Sequence, residues 1–146
     1  MKKILLMFIL IGSVVLGEVK TQLKSMKISK SGDGKIERVE AKNVSPGDIL
    51  EYTFMIDNEE QEVIKNLNPT IPVPSGTSLI PDTGKPSNYL VSVNGRDFYK
   101  YPIEVDGKPV PLSDYKSVGW NVEELKPGEK LEFKVEVKLN GGEGAN

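Results

Sequence analysis

The side chains with reactive chemistry to offer in this chain are carboxylates, lysines and hydroxyls, because its 146 residues include neither histidine nor cysteine. That excludes Ser-His-Asp catalysis, thiol nucleophiles and the usual zinc, copper and non-haem iron sites, and with them most hydrolases. Three constellations remain to be weighed. They are the triplet Asp82-Thr83-Gly84, the acidic run Asp57, Glu59, Glu60 and Glu62, and the aromatic set Tyr89, Phe98, Tyr99, Tyr101, Tyr115 and Trp120.

The triplet echoes the active-site string of aspartic proteases, in which two aspartates share a proton because like charges so close cannot both ionise. A single copy needs a second chain to supply the other aspartate. Pro81 before it and Lys85-Pro86 after it also stand where those enzymes place apolar or small residues. A turn after Leu79-Ile80 is the better reading. Several carboxylates in one loop suit a hard cation such as calcium, but the spacing matches no calcium loop, and Ser31-Gly32-Asp33-Gly34-Lys35 lacks the further acids of an EF-hand. The acidic run therefore reads as a solvated turn. Among the aromatics, Trp120 and Tyr89 fall on strand-like alternation and belong to a core. Phe98, Tyr99 and Tyr101 lie so close in sequence that at least one must face outward, where a ring can stack on a sugar or anchor a protein contact. Those three form the candidate contact surface. No catalytic, cofactor-binding or metal-ligating residue is assigned.

The elements that must position these groups announce themselves in a phrase written twice. Asn43-Val44-Ser45-Pro46-Gly47-Asp48-Ile49-Leu50-Glu51-Tyr52-Thr53-Phe54 aligns with Glu124-Leu125-Lys126-Pro127-Gly128-Glu129-Lys130-Leu131-Glu132-Phe133-Lys134-Val135, 81 residues later. In each, Pro-Gly suits the centre of a type II turn, proline presetting φ and glycine accepting a positive one. Alternating apolar and polar residues follow, the mark of a half-buried strand. Leu50, Tyr52, Phe54 and Ile56 make one apolar face, with Glu51, Thr53 and Asp57 opposite. Leu131, Phe133, Val135, Val137 and Leu139 make another. Val63 to Val73 reads as an edge or bent strand because Pro69 and Pro72 interrupt it. Tyr89, Val91 and Val93 form a further alternating set, and Val118, Trp120 and Val122 another. Ser31-Gly32-Asp33-Gly34, Asn94-Gly95 and Asp106-Gly107 mark hairpin turns. No segment carries a helical period. The fold class expected is all-β: an Ig-like antiparallel β-sandwich of Greek-key type, with Tyr52, Phe54, Trp120, Phe133 and Val135 in its interior.

Residues 1–17 read as a cleavable signal peptide. Lys2 and Lys3 precede an apolar run from Ile4 to Leu16, and Val15 and Gly17 supply small residues for cleavage after Gly17. The run is shorter than the roughly 20 apolar residues that span a bilayer. No cysteine follows it to receive a lipid. The mature chain is therefore expected to be exported, to the periplasm or the cell surface, with no stable membrane span after cleavage. Its domains are an N-terminal basic segment, 18–42, supplying the first strand or strands; the sandwich, 43–140; and a flexible glycine-rich tail, 141–146. Residues 18–42 carry seven Lys or Arg against four acids, net +3, whereas 43–146 carry ten against seventeen, net −7. No aromatic residue interleaves the lysines, so nucleic acid is not expected as a partner. The expected role of Lys20, Lys24, Lys27, Lys30 and Lys35 is to line the solvent face of an edge strand and discourage aggregation. Without a disulfide to help, stability must come from packing.

Three stretches together resemble an Ig-like repeat family of bacterial surface proteins known as domain of unknown function eleven. Val44-Ser45-Pro46-Gly47-Asp48 through Tyr52 to Asp57-Asn58 is similar to its opening turn and strand. Ile71-Pro72-Val73-Pro74-Ser75-Gly76-Thr77 with Leu79-Ile80-Pro81 is similar to its central segment, and Trp120 with Leu125-Lys126-Pro127-Gly128-Glu129 and Phe133 to Val137 to its closing strands. Residues 43–139 are covered. Residues 18–42 are not, and within 43–139 the Asp97–Tyr101 stretch has no counterpart. The resemblance implies a cell-envelope address and carries no shared catalytic residues. The expected function is a non-enzymatic structural or adhesive module whose partners are other envelope or surface proteins. Two alternatives stand beside it: a glycan- or peptide-binding protein using 98–101, and a pilus-like subunit that donates the segment 18–42 as a strand.

Overall fold

Alternation and turn chemistry together build the centre of the molecule. The computed structural model describes residues 19–141, so the expected signal peptide at 1–17 and all but the first residue of the expected tail lie outside the described residues. The strands are β1 (Val19–Lys30), β2 (Ile36–Glu40), β3 (Ile49–Asn58), β4 (Ile64–Leu67), β5 (Thr70–Pro72), β6 (Thr77–Leu79), β7 (Leu90–Ser92), β8 (Tyr99–Lys100), β9 (Glu104–Val105), β10 (Lys108–Pro109), β11 (Ser117–Gly119), β12 (Val122–Leu125) and β13 (Lys130–Leu139), with a single 3-10 turn at Leu112–Asp114. Among these residues no helix is long and apolar enough to cross a membrane.

Each half of the repeated phrase closes the strand made by the other half. Gly47 at φ +92° and Gly128 at φ +78° occupy the third position of their turns, where Asp48 N–H bonds Ser45 O and Glu129 N–H bonds Lys126 O, both at 3.0 Å. A carboxylate then caps each turn from inside: Asp48 accepts from Ser45 N–H at 2.8 Å and Glu129 from Lys126 N–H at 2.9 Å. The glycine N–H of the first turn reaches Leu139 O at the end of β13, and that of the second reaches Asn58 O at the end of β3, each at 2.8 Å. β3 and β13 pair antiparallel, with Thr53 opposite its own repeat equivalent, Lys134. The two copies are thus related by a local twofold at that pair.

Around this centre runs a five-stranded sheet in the order β2-β1-β3-β13-β6, facing a four-stranded sheet in the order β5-β11-β7-β8. All registered pairs are antiparallel. The layers enclose one core, to which Leu50, Tyr52, Phe54, Phe133, Val135 and Val137 contribute from one sheet and Ile71, Val91 and Val118 from the other. Trp120 joins the layers, its ring 4.8 Å from that of Phe133 and tilted by 45°. The molecule is an all-β antiparallel sandwich, and the five interior residues expected from sequence are all buried.

Three sequence expectations need correction. Val118, Trp120 and Val122 do not share a strand, because the chain leaves the four-stranded sheet at Trp120 and re-forms as β12 beside β4. The alternation continues only because both strands happen to point an apolar residue inward. Val63 to Val73 divides into β4 and β5, which pair with different neighbours and are separated at Asn68-Pro69, although β5 does lie at a sheet edge as its prolines implied. The basic segment forms a hairpin in which β2, not β1, is the outermost strand over Met26–Lys30. Its lysines also do not share one face, since Lys27 points to the opposite side of β1 from Lys24 and pairs with Asp48 at 3.3 Å.

Candidate functional site

Between β7 and β11 the chain makes an excursion, and the predicted contact residues sit on it. Asn94 folds the start, its carboxamide oxygen accepting from the backbone N–H of Arg96 and of Asp97, each at 2.8 Å. Phe98 is only half-buried, but it lies on Gly119 so closely that a β-carbon there would come within 3.0 Å of its ring. Tyr99 then pairs with Val91 in β8. Tyr101 turns back against Tyr115, ring centroids 5.8 Å apart. Burial, ahead of the neighbouring tyrosines, pushes its phenol pKa up. Tyr115, wholly buried, accepts Ile103 N–H at 3.0 Å through its hydroxyl and so fixes the excursion to the core. Beyond Ile103, β9 and β10 form a ribbon turned by Asp106 and Gly107, both at positive φ as a type I′ turn requires.

Of the three expected contact residues, Tyr99 alone faces solvent, at 57% exposure. Phe98 and Tyr101 are half-buried, against Gly119 and Tyr115 respectively. The structure adds two neighbours along the excursion that sequence reasoning passed over, Val105 and Leu112, exposed by 57% and 38%. Their signal was an apolar residue beside a tight Asp-Gly turn or a short helical turn, neither of which has a buried side to offer.

A second feature covers the outer face of the five-stranded sheet. Glu51 points away from the core, as alternation requires, and is nevertheless only 5% exposed. Arg38 reaches over from β2 and grips it with two bonds, Nε to Oε1 at 2.8 Å and Nη2 to Oε2 at 3.1 Å. This bond to Arg38 holds the Glu51 carboxyl below its ordinary range. Glu136, directly across β3–β13 from Glu51, is pushed upward, first by burial and then by the Glu51 charge. A depression of about 290 Å³ lies over these groups, with Thr83, Lys85 and Lys134 on its rim. Lys134 pairs with Glu132 at 3.0 Å. The cluster is a lattice of opposed charges with no nucleophile-base pair in it. Sequence spacing carried no trace of the Arg38–Glu51 bond, which depends on the register of three strands.

The Asp82-Thr83-Gly84 string is a structural turn. Thr83 Oγ donates to Ile80 O at 2.7 Å and accepts Glu136 N–H at 3.0 Å, standing in for a strand at the edge of β13. Gly84 lies under the Tyr89 ring, where any β-carbon would collide. Asp82 is exposed, and its backbone N–H bonds the Tyr89 hydroxyl at 3.2 Å. The acidic run is organised by buried Asn58, whose side chain donates to Glu62 O at 3.0 Å and Leu125 O at 2.9 Å and accepts from Glu60 N–H at 2.9 Å. Its carboxylates meet lysines instead of converging: Glu59 pairs with Lys20 at 3.1 Å and Asp57 with Lys130 at 3.8 Å. Among the described residues no group of three His, Cys, Asp or Glu is placed to hold a metal. Comparison of the sequence with family models and with curated proteins, and of the structure with solved structures, finds no match.

Proposed function

We propose that this chain is a non-enzymatic structural or adhesive module of the bacterial cell envelope, making its contacts through the excursion between Phe98 and Tyr115. The observation that carries this is the contrast within the excursion: Tyr99, Val105 and Leu112 are offered to solvent while Tyr115, at its end, is buried in the core. Apolar groups held out on a fixed base lose little freedom when a partner covers them, which favours contact over catalysis. Two of the groups that could do chemistry are already engaged, Thr83 in closing a strand edge and Glu51 in the Arg38 clamp. The envelope address rests on the apolar N-terminal run after Lys2 and Lys3 and on the resemblance of residues 43–139 to a surface-protein repeat. Tyr99 is the one exposed ring among the described residues. A lone ring favours a protein contact over a sugar platform built from several.

A photo-crosslinking residue placed at position 99 in living cells should give a discrete adduct with an envelope component. Tyr99→Ala with Val105→Ser should remove binding to isolated envelopes without changing the thermal melt. Absence of adducts from positions 99, 105 and 112 alike overturns the proposal.

A further inference from the structure

We propose that the strand edge of β1 between Thr21 and Ser25 is a docking site for an extended acidic segment of a partner protein, which adds there as a new strand in line with β2. The proposal does not depend on the excursion described above.

The opening arises from a mismatch in length. β1 pairs with β3 from Val19 to Ile28, but β2 covers its other edge only from Met26 to Lys30. After Glu40 the chain bends away, and no described strand takes its place alongside Thr21–Ser25. Five residues of antiparallel strand span about 17 Å. Along them, alternate N–H and C=O groups point away from β3 into the gap. Such a row is a template for an added strand.

Along β13 and at both edges of the four-stranded sheet the backbone is closed in ways this edge is not, whereas the outer edge of β2, Ile36–Glu40, also lacks a described partner but carries the acids Glu37 and Glu40. Along β13, Lys85 exchanges both backbone bonds with Lys134 at 2.8 Å, Ile80 N–H bonds Glu136 O at 3.0 Å, and the Thr83 hydroxyl takes Glu136 N–H. In the four-stranded sheet, β5 contains Pro72 and follows Pro69, and β8 is two residues long with Pro102 close behind. Proline cannot donate to a ladder. Thr21 to Ser25 contains no proline and no glycine.

Charge selects the occupant. Lys24 is exposed and makes no ion pair among the described residues, and it shares the outer face of β1 with Lys20. Carboxylates on the same face of an incoming strand would lie within cross-strand reach of the Lys24 ammonium. A second copy of this chain entering the gap through its own β1 would bring two more ammonium groups to that face. The arrangement therefore favours an acidic partner and opposes self-association. Thr21, Leu23 and Ser25 on the inner face are small or apolar, so a strand with valine-sized residues there fits beside them.

Titration of the ¹⁵N-labelled protein with short synthetic peptides tests this. A peptide alternating glutamate with valine should shift the amide signals of Thr21–Ser25 and saturate. Its lysine-valine counterpart should bind at least about tenfold more weakly, and the glutamate peptide with a central proline should not bind. Lys24→Glu should invert the preference between the two charged peptides while leaving the fold intact. Three results would overturn the proposal: no shifts from the glutamate peptide, shifts confined to the Tyr99 excursion, or equal binding of the proline-interrupted peptide. The last would reduce the site to a charge contact without a ladder.

Discussion

Glu51 shows how a single side chain can obey alternation and still defy what alternation suggests. It points outward from β3, where a glutamate would meet water, yet Arg38 covers it with a paired bond. A carboxylate removed from water needs a partner, and losing one costs more than never having had the pair. Arg38→Met should therefore lower the melting temperature at neutral pH. The pH dependence has a definite sign. The Glu51 pKa is lowered in the folded chain, so the stabilisation from this bond is present above the ordinary carboxylate pKa of about 4.3 and is lost as pH falls through the lowered value. The deficit of Arg38→Met should narrow as the solution is acidified. Glu136 behaves oppositely: its pKa is raised by burial and by Glu51, so the native state binds its proton more readily and stability declines as pH rises through the raised value. Glu136→Gln should therefore raise the neutral-pH melting temperature and lose that advantage in acid. Thermal melts across the acid range decide both, and a neutral-pH fall in Glu136→Gln would refute the account of the cluster.

At the scale of elements, the two Pro-Gly turns act as one device. Each begins one central strand and bonds the end of the other, and at both glycines a β-carbon meets nothing within 4 Å. Alanine at either site therefore suffers only from its backbone, where a positive φ costs a non-glycine residue about 1–2 kcal/mol. Gly47→Ala and Gly128→Ala should each destabilise by that amount, and nearly equally, in urea unfolding. A large effect at one and none at the other would break the equivalence. These turns, β3, β13 and the Asp106-Gly107 hairpin were readable from sequence because turn residues and period-two alternation are local properties. The division at Trp120 was not. Its backbone N–H bonds Pro69 O at 3.0 Å and its indole bonds Pro86 O at 2.9 Å, contacts from distant segments that hold the chain where it changes sheets. The Ser31–Gly34 turn implied a strand after it, but the bounds of β2 were not readable, since all five of its residues are exposed and leave no burial pattern. The split of Phe98, Tyr99 and Tyr101 depends on Gly119 and Tyr115, whose approach no spacing reveals.

For the molecule as a whole, cohesion is concentrated in the middle of the sandwich and thins toward the hairpin. Every fully buried apolar residue lies outside β1 and β2; of their residues only Val19 and Leu23 pack against the core, and these partly. The hairpin is held instead by its ladder to β3 and by ion pairs from Lys20, Lys27 and Arg38. Packing and edge effects therefore separate. Phe133→Ala removes a buried ring that faces Trp120 and should cost about 3–5 kcal/mol, a loss of global stability because both layers close on that contact. Val39→Thr on β2 should stay within about 0.5 kcal/mol. Native-state hydrogen exchange should show the same gradient. Amides of β3 and β13, strands flanked on both sides, should exchange only by global opening, while those of β2 exchange by local opening at far lower cost. Phe133→Ala should accelerate the first group by the full loss of stability and leave the second nearly unchanged. Equal protection in β2 and β13 would mean that the hairpin belongs to the cooperative core, and that burial misjudges how this sandwich is held together.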